Sequence, residues 1–272
     1  MSQAQIPSRR GGDGFIPQGA SRRWPFVIGG SQAYCPPPWN AHLLLWRGLF
    51  EALIGRQPSE PRENWRTLSR PLLATLMHKE GAGQEHPSRI FIASLVGAQD
   101  SVLDVGCGAG ATYETLAAAG RASHYTGIDS SEPSLEVARE LYPAGDFRAG
   151  QATALLAQFE PASFDLVLVR HVLEHLPDFE LAMEQAIAVA RRLAVFVFFL
   201  APRKLPLGIR KVDPGFNRPA FYTYIYSRPV INRCLTRSGL QWQWHDEIGV
   251  SRAGWFANET NSVLVVSRSE PW

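Results

Sequence analysis

The sequence predicts an α/β protein: a doubly wound, mostly parallel sheet of seven strands, preceded by a helical accessory region. Three observations carry that expectation. From residue 100 onward, apolar runs of strand length alternate with segments of helical spacing. The runs are near-continuously apolar, as strands covered on both faces are. The stretch "SVLDVGCGAGA" at 101–111 sets three glycines on alternate positions straight after the first run. Such a strand-to-helix turn lets backbone approach a ligand with no Cβ in the way.

The elements follow in order. "SVLDVG" is the first strand, and "ATYETLAAAG" a helix closed by Gly120. "HYTGIDS" is the second strand, "EPSLEVARELY" a helix with Pro133 in its first turn, and "DFRAG" a short third strand. "SFDLVLVRHVL" is the fourth, "FELAMEQAIAVARR" a helix, and "LAVFVFFLAP" the fifth. "SRPVINRCLTRSG" is a helix running from Ser227 to a stop at Gly239, and "LQWQWHDEIGV" and "TNSVLVVSRS" form a terminal antiparallel pair. Upstream, residues 1–30 are rich in Gly, Pro, Ser, Gln and Arg and read as a flexible tail; the sharper alternative is an arm closing over a ligand. Residues 31–86 read as a helical cap. "CPPPWN" stops regular structure there, Asn40 caps a helix bearing Leu43, Trp46, Leu49 and Leu53, and a second helix covers 72–79. A helix over 87–96 leads into the main domain, 87–272, which carries a long insertion at 203–227.

Composition excludes several classes. With 45% hydrophobic and 19% charged residues the chain reads as an ordinary globular protein, and a net charge of +2 is too weak a bias to imply nucleic acid. The longest apolar run, "LAVFVFFLA", is less than half a membrane span, so no spanning segment is expected. No apolar core follows the charges of "MSQAQIPSRRGGDGF", so no secretory leader is expected either. Cys35, Cys107 and Cys234 have neither paired nor metal-type spacing, which suits a reducing cytoplasm and predicts no metal site.

Gly106-x-Gly108-x-x-Ala111, with Asp129 about 20 residues on, fits a dinucleotide fingerprint. That match alone leaves a nicotinamide-dependent oxidoreductase open. Asp104 tips the balance. A carboxylate two residues before the first glycine repels a diphosphate lying over the turn, whereas a ligand bearing an ammonium and a sulfonium has the opposite preference.

At these residues the chain resembles the class I S-adenosylmethionine-dependent methyltransferases, and among them the small-molecule group with the motif LDVGCGxG. The resemblance is close over about residues 87–202 and holds only in pattern elsewhere. It implies a Rossmann-like sheet and S-adenosylmethionine as cofactor, with S-adenosylhomocysteine as product. It also implies that the turn from Asp104 through Gly106, Cys107, Gly108 and Gly110 packs against the methionine portion. Asp129, followed by Ser130, would bind the ribose hydroxyls, and "FDLVLVRHVLEHL" would border methyl donor and acceptor. One departure stands out. Where the family has an Asp for the adenine amino group, this chain has Gln151; its amide can accept that hydrogen bond, or it points to solvent and the Ala152 backbone N–H does the recognition.

Methyl transfer needs collinear placement and a dry pocket more than covalent help. His171 is the best-placed base for a hydroxyl, with Arg170 beside it, while Glu174 and His175 read as structural. The insertion combines basic residues with Tyr222, Tyr224 and Tyr226, and is expected to recognise the methyl acceptor together with His171. Trp242 and Trp244 share one face of a strand and read as core; Trp39, Trp46 and Trp65 are candidates to cap the pocket. These features together lead to the expectation of a cytoplasmic methyltransferase acting on a small molecule, binding neither nucleic acid nor membrane, with oligomeric state and methylated atom undetermined. Its rivals are an NAD(P)-dependent oxidoreductase and a non-catalytic S-adenosylmethionine-binding regulatory protein. A nucleic-acid or protein methyltransferase is disfavoured because "VRHV" replaces N-P-P-Y after the fourth strand.

Overall fold

The computed structural model describes residues 87–199, 201–204, 208–213, 221–236, 239–248 and 261–268. The tail at 1–30 and the cap at 31–86, with their tryptophans, lie outside the described residues.

Helix α1 (Pro87–Leu95) precedes β1 (Ser101–Val105), α2 (Ala111–Ala118), β2 (His124–Asp129), α3 (Glu132–Leu141) and β3 (Asp146–Ala149). Then come β4 (Phe164–Arg170), a 3₁₀ turn (Leu173–His175), α4 (Phe179–Val189) and β5 (Ala190–Phe198). The chain closes with β6 (Gly208–Asp213), β7 (Phe221–Tyr226), α5 (Arg228–Thr236), β8 (Gln241–Ile248) and β9 (Asn261–Ser267). Seven strands form one sheet in the order β3-β2-β1-β4-β5-β9-β8. The pairs from β3 through β5 are parallel, and β9 alone runs against both its neighbours, β5 and β8.

Strand alternation divides the apolar side chains between two layers. Leu103, Val105, Val167, Val169, Phe196, Phe198, Leu264 and Val266 face α4 and α5, meeting Met183, Ala186, Ile231 and Leu235. Val102, Leu166, Leu168, Val195, Val197, Val263 and Val265 face α1, α2 and α3, meeting Ile92, Leu116 and Leu135. Helices on both faces explain why the strands read as unbroken apolar runs.

Two expectations need correction. The helix expected to reach Arg192 stops at Val189, and β5 already begins at Ala190. There Arg191 leaves helical spacing to bond Asp165 Oδ1 (2.7 Å) and the carbonyls of Ala162 and Ser163. The insertion at 203–227 is not a simple loop: β6 and β7 pair antiparallel from Gly208↔Tyr226 to Asp213↔Phe221 as a separate two-stranded sheet. No helix among the described residues is long and apolar enough to cross a membrane.

Candidate active site

The parallel strands all end on one side of the sheet, and the order reverses between β1 and β4, where α/β sheets open a crevice. A cleft with a cavity volume of about 190 Å³ lies there. Each strand delivers a piece of its wall: Asp104 to Gly108 from β1, Asp129 and Ser130 from β2, Gly150 to Ala152 after β3, Arg170 to Val172 from β4, and Phe199 after β5.

The glycine turn closes tightly over β2. The N–H groups of Gly106 and Cys107 both donate to Ile128 O, at 2.7 and 3.0 Å. Gly106 has φ +75°, and a Cβ there would stand 2.2 Å from Val172 Cγ2. Left-handed backbone and a neighbour in the way together admit only glycine. Gly110, at φ +88°, would meet the Tyr142 ring at 2.7 Å.

Asp104 belongs to the layer that otherwise carries Val102, Leu166 and Leu168, and is only 1% exposed. Its Oδ2 accepts from the Tyr125 hydroxyl at 2.8 Å. Burial pushes its carboxyl up to about 6, while the Tyr125 hydroxyl, the Arg170 charge and a Thr112 hydrogen bond pull the other way. The group is therefore ionised at neutral pH, though by a small margin. Asp129 is held differently: Oδ2 accepts the Gly108 N–H at 2.9 Å and Oδ1 the Ser131 N–H at 2.8 Å. Burial raises its carboxyl too, against hydrogen bonds from the Ser131, Gly108 and Ser130 backbone. Cys107 lines the cleft, but burial, followed by Asp129 and Asp104, pushes its thiol well up, so it stays a thiol.

Gln151 is exposed and Ala152 half-buried, and both line the cleft, with Gly150 N–H bonded to Asp129 O at 3.0 Å. Arg170 and His171 line it from β4. His171 has a left-handed backbone, φ +55°, with its N–H on Val197 O at 2.9 Å. Its ring lies flat on Phe199, centroids 3.7 Å apart and planes at 7°.

Of the expected tyrosines, Tyr224 and Tyr226 do not line the cleft. Tyr226 is buried: its hydroxyl donates to Leu176 O at 2.5 Å and its ring stacks on Phe179 at 4.0 Å. Tyr224 stacks on Tyr226, 5.8 Å away, and neither ring is part of the cleft wall. Strand β7, paired with β6, lies beside the 3₁₀ turn, and Tyr226 packs into the core there. Of Tyr222 the structure describes only the backbone. Trp244 also packs: its Nε1–H donates to Asn232 Oδ1 at 2.9 Å under the Arg228 guanidinium, 4.5 Å from the ring.

Arg89 of α1 and Phe199 line the cleft although no sequence pattern singled them out. Arg89 is 1% exposed, an unusual depth for a guanidinium. Its only sequence signal is a charge on the apolar side of a helix that also carries Ile92 and Ala93. Among the described residues no three His, Cys, Asp or Glu side chains gather to hold a metal ion.

Residues 103–198 match a family model described as a methyltransferase domain. Over this segment the chain is similar to methyltransferase domains. Similar curated proteins are the ubiquinone biosynthesis O-methyltransferases of Aromatoleum aromaticum, 46% identical over 81 residues (28% of this chain, 33% of that one), and Idiomarina loihiensis, 42% identical over 101 residues (36% and 40%). The chain thus spans well under half the length of these relatives. Among solved structures, an amino pentose methyltransferase of Micromonospora echinaspora with SAM bound matches at TM-score 0.51 and 18% identity, covering 72% of this chain and 97% of that one. A SAM-dependent methyltransferase of Methanosarcina mazei matches at 0.51 and 18%, covering 65% and 96%. At such identity the likeness is one of fold. The matched segment starts inside β1 and ends with β5, so it takes in the parallel strands that build the cleft.

Proposed function

We propose that the chain transfers a methyl group from S-adenosylmethionine to a hydroxyl of a small molecule. The observation that carries this reading is Asp104, a buried carboxylate under the glycine turn where a dinucleotide would lay its diphosphate. The residues present fit the cofactor. Among the residues lining the cleft, Asp104 would favour its ammonium, Arg89 its carboxylate, and the Asp129 carboxylate would hold its ribose hydroxyls. Gln151 or the Ala152 N–H serves adenine. When bound, the cofactor supplies an electrophilic methyl on a sulfonium.

The chain's own part is to orient, to keep water out and to hold a proton. Val172, Leu176 and Phe199 give the methyl-acceptor end an apolar wall. Arg170 favours the ionised form of Asp104. His171, on the Phe199 face, takes the acceptor's hydroxyl proton. The names of the curated relatives, O-methyltransferases, support an oxygen acceptor. A small molecule, rather than nucleic acid, and a cytoplasmic setting complete the proposal.

Titration calorimetry against S-adenosylmethionine, S-adenosylhomocysteine and NAD tests it. The first two are expected to bind and NAD to give no heat; tighter binding of NAD would overturn the assignment.

A further inference from the structure

We propose that Glu174 is a positioning residue for the chemistry assigned above, orienting His171 so that one ring nitrogen faces the carboxylate and the other serves the methyl acceptor. The inference rests on that reading of the cleft and adds to it a group outside the cleft wall.

Three contacts converge. His171 follows β4 in left-handed backbone, a conformation rare for a non-glycine residue and kept where the surroundings enforce it. Its imidazole lies on Phe199 at 3.7 Å, nearly coplanar. Glu174, 5% exposed in the 3₁₀ turn, places Oε1 2.7 Å from the Phe199 N–H, which donates to it, and 3.8 Å from His171 Nδ1. One carboxylate oxygen therefore anchors the platform under the imidazole and faces the imidazole's edge. At 3.8 Å the second contact is an ion-pair distance, too long for a hydrogen bond.

A negative charge on the Nδ1 side stabilises a proton there, leaving Nε2 basic, and stabilises the imidazolium once Nε2 has taken the hydroxyl proton. The oxygen keeps the electron pair of its broken O–H bond. A brace for the 3₁₀ turn would need only the Phe199 bond, which a neutral amide oxygen also makes. The charge is what the positioning role requires. The other titratable groups lining the cleft are Arg89, Asp104, Cys107, Asp129, Arg170 and His175, and all stay in place in the test.

The test compares the full chain with Glu174→Gln, labelled with ¹⁵N-histidine and loaded with S-adenosylhomocysteine. The His171 resonances are assigned by their loss in His171→Asn. Long-range ¹H–¹⁵N spectra are expected to show the Nδ1–H tautomer in the parent. In E174Q the His171 midpoint should fall by about one pH unit, with a shift toward Nε2–H and cofactor-product affinity within about twofold. An unchanged midpoint and tautomer in E174Q would reduce Glu174 to a brace and overturn the proposal. Should E174Q not fold, the parent spectrum decides alone, because a predominant Nε2–H tautomer would equally overturn it. Failure of the parent to bind S-adenosylhomocysteine would count against the cofactor assignment instead, since the tautomer is read with or without ligand.

Discussion

Asp104 answers to two opposed demands. A buried carboxylate that costs the fold is useful to a cationic ligand, and the same burial that raises it to about 6 makes both effects depend on pH. Below about pH 4 folded and unfolded chains both hold the proton, and no penalty arises. Between about 4 and 6 the unfolded chain ionises first, so stability falls as pH rises, by up to about 3 kcal/mol for a shift of roughly two units. Asp104→Asn is therefore expected to gain on the parent by up to that amount between pH 4 and pH 7 in urea unfolding, while losing about tenfold or more in S-adenosylmethionine affinity at pH 7. In the parent, that affinity should fall as pH drops through 6. A variant equal to the parent at every pH would mean that the carboxylate bears no penalty. The glycines and both aspartates were legible in the sequence because their demands are local: a turn, a strand end, a spacing. Arg89 and Phe199 were not, because the approach of α1 and the end of β5 to the cleft is a tertiary event that no spacing records.

The elements are held at their far ends by polar contacts as particular as those of the cleft. Asp165, at the start of β4, accepts from the Ser101 N–H (2.9 Å) and hydroxyl (2.8 Å) of β1 and from Arg191 of β5. Burial raises its carboxyl, but these bonds more than offset it and leave it below the ordinary carboxylate range. Its contribution is present at neutral pH and lost as pH falls through the folded value. Asp165→Asn should cost about 1–2 kcal/mol at pH 7, read from the urea midpoint, with the gap closing under acid. The strands themselves were plain from their apolar runs. The β6–β7 pair was hidden because "GIRKVD" and "FYTYIY" lie within a basic, Pro-rich stretch whose composition suggests a loop. The same composition suggested the cleft for Tyr226, whose ring packs on Phe179 instead. The end of α4 was misread because Ala186, Val189 and Ala190 continue a helical apolar spacing across the start of β5.

For the whole molecule, the cleft is built from the ends of five strands, so ligand binding and sheet integrity are linked. S-adenosylhomocysteine at a hundredfold excess over its dissociation constant should add about 2.7 kcal/mol to the unfolding free energy, a rise of several degrees in the melting temperature. Scanning calorimetry at several ligand concentrations checks this, and a melting temperature indifferent to ligand would show that the cleft does not hold it. The doubly wound sheet was legible in full outline because alternation of strand and helix is a property of the chain's rhythm. The place of β9 was not. It inserts between β5 and β8, so residues 193–198 find their second partner only in 262–267. During synthesis, a polypeptide still tethered to the ribosome before residue 261 presents one flank of β5 bare. That open row of backbone donors and acceptors must wait, or be shielded by a chaperone, until β9 emerges to pair with it.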